Sequence, residues 1–75
     1  MDWRELITVD PSVCHGRACF RGTRVFVSVV LDNLAAGETE EAILSSYPSV
    51  TPEAIRAAIA YAADLAREQV VSLTA

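Results

Sequence analysis

Leu6-Ile7-Thr8-Val9 is a short run of β-prone residues halted by Asp10-Pro11. From Arg17 to Arg21 the pattern alternates, with Arg17, Cys19 and Arg21 on one side and Ala18 and Phe20 on the other. That is the period of a half-buried strand. A lone short strand is unstable, so the two runs are expected to pair. Gly22-Thr23 reads as a tight two-residue turn, with Gly22 free to take a positive φ. Val25-Phe26-Val27 resumes the β character and pairs either with Phe20 or with the Ile7 strand. Ahead of all this, Met1 to Glu5 reads as a polar lead-in with Trp3 on the surface of the core.

From Ser28 the period lengthens. Val29, Val30, Leu31, Leu34 and Ala35 follow helical spacing, and Gly37 sits where a helix-ending glycine belongs. Thr39 is an N-cap candidate, with Glu40 and Glu41 in the first turn, where the helix dipole favours acids. The apolar face of that second helix is Ala42, Ile43, Leu44 and Tyr47, and Pro48 closes it. Thr51-Pro52-Glu53 supplies a cap, an N1 proline and a first-turn acid for a third helix. On it Ile55, Ile59, Ala62 and Ala66 form one stripe, with Ala58, Tyr61 and Leu65 beside it. The pattern predicts a mainly α chain in one domain over 1–75: a β-ribbon over about 6–27, then helices over about 28–36, 39–47 and 51–68. The short second connection suits a helix-turn-helix. Val70, Val71 and Leu73 form an apolar tail with no regular period, suited to docking on a partner or to fraying.

Size sharpens this. A chain of 75 residues buries only about 60% of the surface its unfolded form exposes. A core that small supplies roughly 3–5 kcal/mol of net stability. Hydrophobic residues make up 52% of the chain, many of them alanine, which packs closely but contributes little apolar area. The composition therefore leaves apolar surface for a partner, or else describes a tight Ala-rich monomeric bundle.

Charge is uneven. The chain is −4 overall, but residues 1–24 hold four arginines against Asp2, Glu5 and Asp10, a local +1. Residues 25–75 hold Arg56 and Arg67 against seven acids, a local −5. A net acidic chain is a poor non-specific nucleic-acid binder unless its cations cluster. Every cation is arginine, whose planar fork suits phosphate and carboxylate.

The segment Cys14 to Val27 concentrates the candidate chemistry. Arg21 and Arg24 flank the expected turn, and like charges facing each other there would be relieved by an anion, either phosphate or a partner's carboxylate. Arg17 adds a third cation. The alternative is that they splay into water or pair with Glu5 or Asp10. In a helix-turn-helix the third helix would read bases; its exposed positions are expected to be Pro52, Glu53, Arg56, Ala57 and Ala60. Only Arg56 is a base-reading type, so the arginine turn is the better nucleic-acid candidate.

Cys14, His15 and Cys19 raise metal binding. However, the histidine is adjacent to the first cysteine and no fourth ligand is near, so buried thiols fit better. No nucleophile–base pair, paired carboxylates or phosphate-cradling glycine loop is visible, so no enzyme, cofactor or metal is expected. No leader or apolar span is visible in the sequence, and the reading is cytoplasmic, without membrane attachment.

The residues also carry a resemblance. Ile7 through Asp10-Pro11, Gly16-Arg17, Phe20-Arg21-Gly22-Thr23-Arg24-Val25, Leu34-Ala35-Ala36-Gly37, Thr39 to Leu44, Tyr47-Pro48 and Thr51-Pro52-Glu53 leading to Ala57 through Ala62 resemble the domain-of-unknown-function 433 family of small bacterial and archaeal proteins. The family's prolines, two residues after the glycine at Gly16 and just before the first helix, are replaced here by Ala18 or Cys19 and by Phe26. The resemblance implies a homeodomain-like helix-turn-helix behind a short ribbon, as a homodimer. It also implies an antitoxin role, binding a PIN-like ribonuclease toxin and operator DNA. On that implication Arg17, Arg21, Arg24 and Arg56 would contact DNA, and Val70, Val71 and Leu73 would hold the partner. A dimeric protein-interaction module that never touches DNA is the competing expectation.

Overall fold

A computed structural model describes residues 2–12 and 16–68. The fold is mainly α, as the periodicity predicts. Strands β1 (Ile7–Thr8) and β2 (Cys19–Phe20) precede helices α1 (Val27–Ala35), α2 (Glu40–Ser46) and α3 (Pro52–Glu68). The strands pair antiparallel, Ile7 opposite Phe20 and Thr8 opposite Cys19.

The chain entering α1 closes on the other edge of β2. Cys19 bridges Phe26. On either side of that bridge the Phe20 amide donates to the Val25 carbonyl at 3.1 Å and the Val27 amide to the Ala18 carbonyl at 3.0 Å. Of the two expected partners for Val25, Phe20 is the one it meets. The β character ends one residue early, because Val27 already belongs to α1. β2 is held on both edges, and both of its residues are buried, Cys19 at 0% and Phe20 at 2% exposure. Cys19 therefore does not lie on a polar side with Arg17 and Arg21, as simple alternation predicts. That expectation assumes one open face, and here neither face of Cys19 is open.

Helix ends follow their capping chemistry. After α1, Ala36 is the C-cap and Gly37 takes φ 88°. The Glu38 amide donates to Asn33 O and the Gly37 amide to Leu34 O, the double closure that favours glycine at this position. The Thr39 and Thr51 hydroxyls accept from the amides of Ala42 and Ala54, each at 3.1 Å. Between α2 and α3 the Val50 amide donates to Tyr47 O and the Val50 side chain is buried. The helix-turn-helix is thus plugged by its own connector.

The core gathers Ile7, Phe20, Val27, Val30, Ile43, Val50, Ala54, Ile55, Ala57 and Ala58. Two expectations for α3 are corrected. Ile59 is 51% exposed, not part of the core stripe, and Ala57 is fully buried, not surface. Ala66 is exposed as well. An alanine-rich helix carries apolar residues on most of its circumference, so its pattern does not say which arc faces inward. Neighbouring elements decide that, and they meet the arc of Ala54, Ala57, Ala58 and Tyr61.

One of those neighbours is the N-terminal segment, which is ordered and not merely a polar lead-in. Trp3–Glu5 form a 3-10 turn capped by the Asp2 carboxylate. The Trp3 ring meets Tyr61 edge to face at a centroid distance of 4.8 Å. Its indole N–H donates to Asp64 Oδ2 at 2.5 Å, Arg67 pairs with the same carboxylate, and Arg4 lies over the Trp3 ring at 4.5 Å. An edge-to-face aromatic pair contributes about 0.5–1.5 kcal/mol beyond its area.

Two outcomes are expected. Ile43→Ala should cost about 2–5 kcal/mol, comparable with the whole stability of so small a core, and leave little cooperative transition in urea. Ile59→Ala should change the midpoint far less. The Asp64 carboxylate is held below its usual value of 3.8, first by the Trp3 indole hydrogen bond and then by Arg67, with burial opposing. Because the folded value is the lower one, this contribution is present above pH 3.8 and fades as pH falls through the folded value. Trp3 fluorescence should report that loss in wild type and not in Asp64→Asn.

Candidate nucleic-acid interface

The arginine segment forms a turn unlike the two-residue hairpin that Gly22-Thr23 suggests. The Thr23 amide donates to Phe20 O at 3.0 Å, so the β-turn spans Phe20-Arg21-Gly22-Thr23. Gly22 is its third residue, with φ 80°, the position and sign that a type II turn requires. The Thr23 hydroxyl reinforces it, donating to Phe20 O at 2.8 Å and accepting from the Val25 amide at 3.1 Å. Four residues, Arg21 to Arg24, therefore separate the paired Phe20 and Val25.

This geometry separates the two arginines. Arg21 turns back along the ribbon: its Nε donates to Glu5 O at 3.2 Å and its Nη2 to Arg4 O at 2.9 Å. The Arg21 amide donates to Leu6 O at 2.8 Å. Arg21 is thus a clip between the turn and the 3-10 segment, and it does not face Arg24. Arg24 is exposed, and among the described residues neither Arg24 nor Arg56 has a hydrogen-bond or ion-pair partner.

Arg17 lies over the Phe26 ring at 5.6 Å. It stands on the wall of an apolar groove of about 490 Å³ lined also by Val9, Ala18, Leu31, Tyr61 and Leu65. Arg24 shares a different, polar recess of about 460 Å³ with Ser12, Gly22 and Thr23. Arg56 lines neither. The cations of the segment are thus distributed over two depressions and not gathered into one patch. Ser12 is held by Asp10, whose Oδ1 accepts from both its amide and its hydroxyl. The Ser12 hydroxyl, then its amide, holds the Asp10 carboxyl below the usual range.

The groove escapes sequence reasoning, because its wall combines Val9 and Leu65 from opposite ends of the chain. Both are large apolar residues left exposed, at 47% and 41%. Among Cys14, His15 and Cys19, only Cys19 falls within the described residues, buried in β2. The apolar tail residues Val70, Val71 and Leu73 also lie outside them. No helix among the described residues is long and apolar enough to cross a membrane.

The two arginines of the turn should separate in experiment. Arg21→Ala should lower stability by about 1 kcal/mol, because its two carbonyl contacts are lost in a solvent-exposed setting. Arg24→Ala should leave the urea midpoint unchanged. Equal effects would contradict the clip.

No solved structure matches the chain. A curated relative does: the chain is 42% identical over 59 residues to "Uncharacterized protein y4eO" of Sinorhizobium fredii (strain NBRC 101917 / NGR234), an alignment covering 79% of this chain and 27% of that protein. The chain thus spans about a quarter of the length of the curated relative it matches. Residues 7–62 match a family model described as "Protein of unknown function (DUF433)". That span runs from β1 through the turn and all but the last residues of α3, and the chain belongs to this DUF433 family.

Proposed function

We propose that the chain acts as an antitoxin-like component of a type II toxin–antitoxin pair, binding a PIN-like ribonuclease and, as a dimer, operator DNA. The observation that carries the DNA half is the set of exposed arginines, Arg17, Arg24 and Arg56, that no acid among the described residues neutralises. They accompany a helix-turn-helix whose α3 offers Arg56 near its start. Arg24 and Arg17 would contact phosphates, and Arg56 a base edge or phosphate. Arg21 is withdrawn from that role by its carbonyl contacts. The toxin half draws on the exposed apolar residues Val9, Ile59 and Leu65 and on the acids of α2, Glu40 and Glu41, also exposed. Acidic surface steers a protein toward a nuclease whose own site attracts nucleic acid.

The second reading, a dimeric interaction module without DNA binding, is favoured by one observation. Half of the expected arginine pair is engaged inside the chain, and Arg17 and Arg24 line separate depressions.

The readings separate in a fluorescence-anisotropy titration against duplex from the chain's own upstream region, from about 50 to 200 mM salt. The double variant Arg24→Ala, Arg56→Ala should weaken binding and lower the salt slope by about one per phosphate contact removed. Absence of binding at the lowest salt, with a stable complex between the chain and its neighbouring gene product on size exclusion, would decide for the module.

A further inference from the structure

The polar recess beside the turn has features that the two functional readings do not use. Of the amides from Phe20 to Val25, four are engaged: Phe20 with Val25 O, Arg21 with Leu6 O, Thr23 with Phe20 O, and Val25 with the Thr23 hydroxyl. Two remain. Among the described residues, neither the Gly22 nor the Arg24 amide donates to any acceptor. Both residues line the recess of about 460 Å³, together with Thr23 and Ser12. Arg24, whose guanidinium has no acid partner among the described residues, belongs to the same wall.

Turns that leave backbone N–H groups undirected form concavities for anions, and an arginine beside them adds a charged fork matched to phosphate. Gly22 suits close approach of an anion: no side chain stands over it, and an added Cβ there would meet nothing within 4 Å. No acid among the described residues lines the recess, and Asp10, which holds Ser12, already accepts at Oδ1 from the Ser12 amide and hydroxyl.

We infer that this recess is a phosphate subsite, in which the Gly22 and Arg24 amides and the Arg24 guanidinium hold one tetrahedral oxyanion. The assignment deepens the DNA reading by naming where a backbone phosphate sits. It also explains the geometry of the turn. Arg21 and Thr23 are tied inward, Arg21 to the 3-10 segment and Thr23 to Phe20, which fixes the two remaining amides in place before the anion arrives. A preorganised set of donors binds without the cost of ordering a loop. Because the source of the phosphate could be a nucleic-acid backbone or a free ion, the two are tested separately.

The experiment is a titration of the isotope-labelled full chain with inorganic phosphate at constant ionic strength, followed by amide chemical shifts. Saturable shifts at Gly22 and Arg24, lost in Arg24→Ala and kept in Arg56→Ala, are expected. No saturation at those two amides, or shifts that Arg24→Ala leaves intact, would overturn the subsite. Arg24→Gln, with the same urea midpoint as wild type, serves as a folded control and should also lose the shifts.

A second arm uses duplex DNA. There Arg24→Ala alone should lower the salt slope by about one. Saturable phosphate shifts without any duplex binding by the wild-type chain would support the subsite and sink the DNA reading, so the two failures are distinguishable.

Discussion

Phe20 joins the ribbon, the arginine turn and the helical body through one residue. Its amide donates to Val25 O, its carbonyl accepts from both the amide and the hydroxyl of Thr23, and it pairs with Ile7 on the far edge. Its side chain is 2% exposed in the core. Two-residue strands have no stability of their own, so the ribbon exists because Ile7 and Phe20 are buried against helices. The driving force for that burial is non-directional; direction comes from the hydrogen bonds around Phe20. The turn that displays Arg24 is therefore set by the core, and changes in core packing near Phe20 will be felt at the surface recess.

The same arrangement assigns different work to chemically identical side chains. Arg21 satisfies two backbone carbonyls, Arg4 covers the Trp3 ring beside Asp2, and Arg67 pairs with Asp64. Arg17 borders an apolar groove, and Arg24 and Arg56 point to solvent. A chain without lysine can do this because the guanidinium is planar, weakly hydrated and multiply donating. It can therefore clip carbonyls and stack on rings as well as meet phosphates. Counting arginines in the first 24 residues overstates the charge available to a ligand, since three-dimensional contacts decide which of them remain available.

Helix starts and stops were the most legible features, because capping is local. Thr39, Thr51-Pro52 and Gly37 do in the structure what their side chains and φ preferences dictate in the sequence. The facing arc of α3 was not legible. Ala54, Ala57 and Ala58 differ from Ala60, Ala62 and Ala66 only in what packs against them, and Ile59 outranks all of them in hydrophobicity yet lies outside. The inward face is set by the elements packed against α3, among them the segment of Trp3, which is more than sixty residues away from Asp64 in sequence. Cys19 departs from simple alternation for a similar reason: alternation presumes one wet face, whereas Cys19 is fully buried. The turn was found by its glycine, but its length depended on the Thr23 hydroxyl bonds, which composition does not encode.

Charge arithmetic bears on why a helix-turn-helix of this kind would act as a pair. Each phosphate contact contributes a slope of about −0.9 in log K against log salt. Three exposed arginines in one copy would then lose about 40-fold in affinity between about 50 and 200 mM salt, and six in a two-fold pair about 1,800-fold. The lower figure describes a chain whose few cations compete against seven acids in the last fifty-one residues, so a single copy starts from weak attraction. Doubling the contacts raises affinity multiplicatively at low salt, while the acidic surplus on the helices also doubles and raises the long-range repulsion. Binding by a pair is then possible only if the arginines face the duplex and the acids of α2 face away, where a cationic partner can cover them. An orientation that meets both demands makes nucleic-acid binding depend on the protein partner, since neutralising Glu40 and Glu41 removes part of the repulsion. On this electrostatic ground the two proposed partners, were both to bind, would cooperate and not compete.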